Sequence, residues 1–137
     1  MPRITAPFTI TAWDPAEDTP WSAGPPALGR VTIRKAYTGA LDGQATVEML
    51  TCVADPADMG RGAFYSAVEQ FTGRIDGHEG TVVFTHAATV STDDRAGDPV
   101  GAVAPGSGTG ALAGIGGTLS VRQGPDGHTL TLDYTLP

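Results

Sequence analysis

The chain has 137 residues, among them 19 glycines and 11 prolines, and its 15 acidic against 8 basic side chains give a net charge of −7. That length fits one domain around a single core, and the acidic balance repels phosphate backbones and anionic lipid surfaces, which argues against nucleic acid and membrane as partners. Cys52 stands alone, so an internal disulfide and a cysteine zinc site are both excluded.

From the N-terminus, MPRITAPFTITAW lacks the basic region and continuous apolar block of a signal peptide, which places the protein in the cytoplasm. Period-two alternation predicts strands over Thr5–Trp13, Leu28–Tyr37, Gln44–Val53, Ala63–Arg74, Gly80–Val90, Val100–Pro105 continuing through Gly110, Thr118–Gln123 and Thr129–Leu136. Ala54–Gly60 has room for one short turn, and nothing keeps a helical period. Two loops interrupt the pattern. Asp14–Ala27 is acidic and Pro-rich with Trp21 in its middle, and Ser91–Pro99 is shorter and polar; each reads either as the lid or rim of a barrel mouth or as a solvated connector.

One phrase occurs three times: TGALDG at Thr38–Gly43, TGRIDG at Thr72–Gly77 and TGALAG at Thr109–Gly114. Each copy falls where one strand run gives way to the next, and its glycines supply the positive φ angles of a sharp bend. On this reading Gly39, Gly73 and Gly110 are equivalent corners. A sheet bent at regular corners closes on itself and loses its exposed edges, so the expected fold is one all-β domain over residues 1–137, a closed eight-stranded antiparallel, calycin-like barrel with a central cavity, rather than a sandwich.

Aligning the copies fixes the phase of the strands. After the corner, Val47, Met49 and Thr51 match Val82, Phe84 and His86, then Leu119 and Val121; before it, Val31, Ile33, Lys35 and Tyr37 match Tyr65, Ala67, Glu69 and Phe71. Both sets are the more apolar of their two faces and are assigned to the interior. That puts Lys35, Glu69, His86 and a tyrosine phenol inside, where an unpaired charge costs on the order of several kcal/mol. They form either a structural ion pair with a hydrogen-bonded core histidine, or the polar lining of a cavity with pKa values shifted for proton transfer.

Other signals are weaker. GTGALA at Gly108–Ala113 spells a dinucleotide fingerprint, but the strand-like GIGGTLSV follows it where a helix is required, so no cofactor is expected. Ser107 lacks the first glycine of a hydrolase elbow, and Cys52 has the exterior phase. His78 and His128 sit at turns away from His86, and no histidine pair has ligand spacing, so no metal is expected. The acidic clusters Asp14/Glu17/Asp18, Asp55/Asp58 and Asp93/Asp94 have the chemistry to hold calcium weakly but read better as solvated loops.

K-x-Y-T-G-x-L-x-G from Lys35, Y-x-A-x-E-x-F-x-G from Tyr65, G-x-x-G-T-V-V-F-T-H from Gly77, P-G-S-G-T-G-x-L-x-G from Pro105 and the D-Y pair at Asp133 and Tyr134 together resemble an uncharacterised bacterial family of small proteins. Its members are built on the barrel of plant allene oxide cyclase, related in shape to dirigent proteins and to some bacterial natural-product cyclases. The resemblance implies an eight-stranded barrel with a cavity and strengthens the functional reading of Glu69 and His86, which stand where the family motif carries a Glu and a His. The activity it suggests is analogy from fold.

Two functions follow. The first is a cofactor-independent isomerase or cyclase acting on a small, mainly apolar molecule. In it Glu69, His86, Lys35 and Tyr65 are the acid/base elements, and Ile33, Tyr37, Met49, Phe71, Phe84 and Trp13 line the substrate, beside Val31, Val47 and Val82. The second is a barrel that binds or carries an apolar ligand without chemistry; a solid interior with a working surface is the third possibility. The state of Glu69 discriminates: an enzyme needs it unpaired and reachable, whereas a carrier tolerates it locked to Lys35. Further copies of the same chain are the other expected partner, as a homo-oligomer.

Overall fold

In a computed structural model, described for residues 2–16, 26–58, 61–90, 99–124 and 126–137, eight strands close into one antiparallel barrel in sequence order. They are β1 (Arg3–Pro15), β2 (Ala27–Tyr37), β3 (Leu41–Val53), β4 (Ala63–Ile75), β5 (His78–Val90), β6 (Val100–Val103), β7 (Gly116–Gly124) and β8 (Gly127–Thr135). β1 closes the ring on β8, from Arg3 opposite Asp133 to Phe8 opposite His128. Helical structure among the described residues is confined to short 3₁₀ turns such as Gly110–Leu112. No helix among them is long and apolar enough to cross a membrane.

Alternation sorts the side chains as physics requires of a small barrel, apolar inward and polar outward. Val31, Ile33, Tyr37, Val47, Met49, Ala67, Phe71, Val82, Phe84, Leu119 and Val121 are buried, while Arg34, Glu48 and Gln70 are exposed. The phase read from the repeated phrase holds in all five strands it covered.

The three copies do lie at strand junctions, but Gly39, Gly73 and Gly110 are not equivalent. Gly39 (φ 88°) sits in the turn between β2 and β3, Gly73 (φ 153°) lies inside β4, and Gly110 (φ 61°) opens the 3₁₀ turn. The difference arises because β4 runs past the start of its copy and ends in a two-residue hairpin. There Ile75 pairs with His78 around Asp76 and Gly77, both with positive φ, the backbone a type I′ turn demands. Gly73 serves a different end: it faces Gly43 across the ladder, and a Cβ on either would come within 2.2 Å of a carbonyl oxygen on the neighbouring strand. Only glycine permits this approach.

The strand expected from Val100 through Gly110 is also shorter than predicted. β6 stops at Val103, and the chain turns at Pro105 and Gly106, the latter with φ 77°. The segment then runs along β5 through side chains, with the Ser107 hydroxyl accepting from the Val83 amide at 3.1 Å and Thr109 Oγ1 accepting from the Thr81 amide at 3.1 Å. Leu112 follows into the core.

The barrel walls are unequal. Pairing of β1 with β8 ends at Phe8 and His128, and the β7–β8 hairpin closes at Gly124 and Gly127, whereas β1 continues along β2 to Pro15. β1 to β5 therefore stand taller than β6 to β8 and form a half-shell at one end. The opposite end carries the β2–β3, β4–β5 and β6–β7 connections and is packed with Phe8, Tyr37, Leu41, Phe71, Ile75, Phe84, Leu112, Leu130, Leu132 and Tyr134 as one cluster. A second, smaller cluster of Val31, Ile33, Val47, Met49 and Ala67, with Tyr65 against it, lines the half-shell. The middles of both long loops, including Trp21, Glu17, Asp18, Asp93 and Asp94, lie outside the described residues; their flanks Ala16, Pro26, Val90 and Pro99 are at the half-shell end.

Candidate functional site

Between the two clusters lies one polar layer. Along β2 the inward order is Val31, Ile33, Lys35, Tyr37; along β4 it is Tyr65, Ala67, Glu69, Phe71; along β5 it is Val82, Phe84, His86. β2 and, across β3 from it, the neighbouring strands β4 and β5 thus deliver Lys35, Glu69 and His86 to one level, at the floor of the half-shell.

Glu69 is the centre of that layer and is 0% exposed. Its Oε1 accepts from Lys35 Nζ at 3.0 Å and from His86 Nε2 at 2.9 Å, and its Oε2 accepts a short hydrogen bond from the Tyr37 hydroxyl. Burial by itself would raise the carboxyl pKa, but the His86 hydrogen bond, the Lys35 charge and the Tyr37 hydrogen bond together outweigh it and hold the group below its ordinary value. It is therefore a carboxylate with every near partner donating. Lys35 is 6% exposed, and its ammonium also lies over the Phe8 ring, 4.2 Å from the ring centre, a cation–π contact that uses the face Glu69 leaves open. The Tyr37 phenol, pushed far up by burial and then by the Glu69 charge, stays neutral.

From Glu69 the network continues outward. His86 Nδ1 meets the Tyr65 hydroxyl at 3.2 Å, and the two rings pack edge to face at 5.8 Å. Because the carboxylate has no hydrogen to give, Nε2 carries the ring hydrogen of a neutral His86, and Nδ1 is the lone pair that Tyr65 meets. Tyr65 is only partly buried, and its phenol is pushed up to about 12 by burial first and then by the Glu69 charge. The chain Tyr65–His86–Glu69 runs from the half-shell wall into the closed interior.

All four residues assigned acid/base roles from the sequence are brought together here. The apolar residues divide. Ile33 and Met49 line the half-shell. Phe71 and Phe84 are fully buried in the packed cluster behind Glu69, so the structure places them under the floor and out of the half-shell. Tyr37 belongs to the polar layer as a donor to Glu69. Trp13 is 52% exposed and pairs with Ile33 beyond a bulge between Ile10 and Ala12, which brings it to the rim.

Sequence reasoning missed His128. It pairs with inward-facing Phe8, stacks on that ring at 5.3 Å, and has a buried Nδ1 without a hydrogen-bond partner. The signal was present in H-T-L-T-L-D-Y, where His128 shares parity with buried Leu130, Leu132 and Tyr134. A concavity of about 510 Å³ lies on the outer side of β3 to β6, between exposed Leu50, Val68 and Val100, and its lining includes Ala67 and His86.

A family model described as a protein of unknown function (DUF3224) matches residues 4–134, and the chain belongs to that family. A crystal structure of a DUF3224 protein of unknown function from Shewanella oneidensis MR-1 superposes with a TM-score of 0.84 at 25% identity, over 100% of this chain and 98% of that one. No curated protein matches the sequence.

Proposed function

We propose that the half-shell binds a small, mainly apolar molecule, with its polar atom on Tyr65 and His86 and its apolar body against Val31, Ile33, Val47 and Met49. The observation that carries this is the unequal height of the barrel walls. Among the described residues, β1 to β5 run past the ends of the β1–β8 and β7–β8 ladders, and on that taller wall Lys35, His86, Val31 and Met49 keep 6–8% of their surface. Apolar wall that a ligand covers gains roughly 25 cal/mol for each Å² taken from water. Glu69 locked to Lys35 is the state a carrier tolerates, which puts binding ahead of chemistry. The lone free Cys52 suits the reducing cytoplasm that this proposal retains.

A second reading, the cofactor-independent isomerase or cyclase, is favoured by one observation, the Tyr65–His86–Glu69 chain. In that reading Glu69 touches no substrate. It holds His86 in one tautomer, and the proton moves between the bound molecule, Tyr65 and Nδ1, a contribution of roughly 10²–10⁴ in rate for one acid/base group.

The test is uptake of the neutral dye N-phenyl-1-naphthylamine. Met49→Trp, which fills the half-shell, removes the dye's fluorescence gain with the circular dichroism unchanged, and Val68→Trp on the outer face leaves it intact. Uptake untouched by Met49→Trp, or removed by Val68→Trp, overturns the assignment.

A further inference from the structure

The hydrogen count of the relay sets the polarity of the site. Glu69 accepts from His86 Nε2 at 2.9 Å, so the neutral imidazole keeps its lone pair on Nδ1, 3.2 Å from the Tyr65 hydroxyl. A phenol has one hydrogen. Once donated to Nδ1 it is no longer available, and Tyr65 turns only oxygen lone pairs toward the half-shell, against whose apolar cluster its ring packs. Building on the binding reading above, we infer that, while His86 is neutral, the half-shell selects apolar molecules bearing a hydroxyl over the matching ketones, because Tyr65 then accepts a hydrogen bond there and has none to give.

A carbonyl in the same place would set lone pair against lone pair, or force Tyr65 to release Nδ1; either way one hydrogen bond goes unmade in a partly buried site. Protonation of His86 reverses the polarity. Nδ1–H then donates to the Tyr65 oxygen, and the freed phenol hydrogen points to the ligand. The titratable groups facing the imidazole are Tyr65 and Glu69 from β4, with Lys35 and Tyr37 from β2 reaching it through Glu69. On the other side β6 opposes it with Gly101, which has no side chain.

The test uses 2-octanol and 2-octanone, which differ only in the hydroxyl or carbonyl at C2, titrated calorimetrically while the ¹⁵N resonances of His86 report its protonation. With His86 neutral, the alcohol binds roughly tenfold more tightly, the size of one satisfied against one unmade hydrogen bond. The preference shrinks or inverts at the pH where the same resonances show His86 protonated, an arm that needs no substitution. Tyr65→Phe narrows the preference, because the lone pair that remains, on the buried Nδ1, lies one hydrogen-bond length deeper. A ketone bound as tightly as the alcohol by the neutral form, or a preference left at full size by Tyr65→Phe, removes this inference and leaves the binding site standing. Binding of neither compound removes both.

Discussion

The two ends of the barrel are built from the same strands and behave as different materials. At the corner end, aromatic and leucine side chains from all around the ring meet across the axis, Tyr37 and Phe71 edge to face at 5.6 Å and Phe71 against Phe84 at 6.0 Å, and Phe71, Phe84, Leu112, Leu130 and Leu132 have no exposed surface. At the other end, Val31, Ile33, Val47 and Met49 line one side, and among the described residues the short β6, β7 and β8 do not rise to face them. The contrast teaches that inward orientation alone does not make a core. A residue packs only if the ring is complete at its height, and the Glu69 layer marks the height at which it ceases to be.

That comparison is open to attack by substitution. Phe71→Ala, in the complete ring, should cost about 4–5 kcal/mol in chemical denaturation, the upper part of the range for truncating a buried aromatic. A cost near 1 kcal/mol would show that the corner end is loosely packed. Glu69→Gln should cost about 3 kcal/mol, the lower part of the range for breaking a buried pair, because Lys35 loses its counter-charge but keeps the Phe8 face. An unchanged or raised melting temperature would instead mark Glu69 as a strained, functional group.

The same variant sharpens the pH profile. The folded Glu69 pKa lies below the ordinary 4.5, so its contribution is complete above about pH 4.5 and is lost as pH falls through the lower folded value. Tyr37 is raised above the ordinary 10.0, so its contribution is complete below pH 10 and is lost as pH rises beyond it. In thermal melts between pH 3 and 11, Glu69→Gln should flatten the acid edge of the stability plateau and only soften the alkaline one, because burial, the larger cause of the Tyr37 rise, is left in place.

Smaller effects belong to the open end. Ile33→Ala should cost only about 1–2 kcal/mol, below the usual 2–5 for a buried Ile, since among the described residues β6, β7 and β8 do not rise to face it; a cost equal to that of Phe71→Ala would erase the contrast. Tyr65→Phe should change stability by less than about 1 kcal/mol, the net value of one partly exposed hydrogen bond, while altering ligand preference as described above.

Much of this was legible in the alternation of residues. Lys35, Glu69, Tyr65 and His86 share the parity of apolar neighbours, and parity alone assigns all four to the interior. Parity reports which face a side chain takes, not how high the ring stands behind it, so Phe71 and Phe84 could not be told from Ile33 and Met49. Bulges hide in the same way. The extra residue between Ile10 and Ala12 shifts the phase of β1, and only the register with β2 shows that Trp13 falls opposite Ile33. The repeated phrase marked the junctions correctly because positive φ requires glycine at each. It could not specify the backbone of each turn, which depends on how far the preceding strand runs.

The central claim is that the half-shell floored by Glu69 takes up an apolar molecule and the packed end does not. Methyl ¹³C–¹H spectra recorded during titration with 1-octanol test it residue by residue. The account predicts shifts at Val31, Ile33, Val47 and Met49, with Leu112, Leu130 and Leu132 unmoved. Shifts confined to Leu50, Val68 and Val100 on the outer face, or no shift at Ile33 and Met49 at saturation, would contradict it.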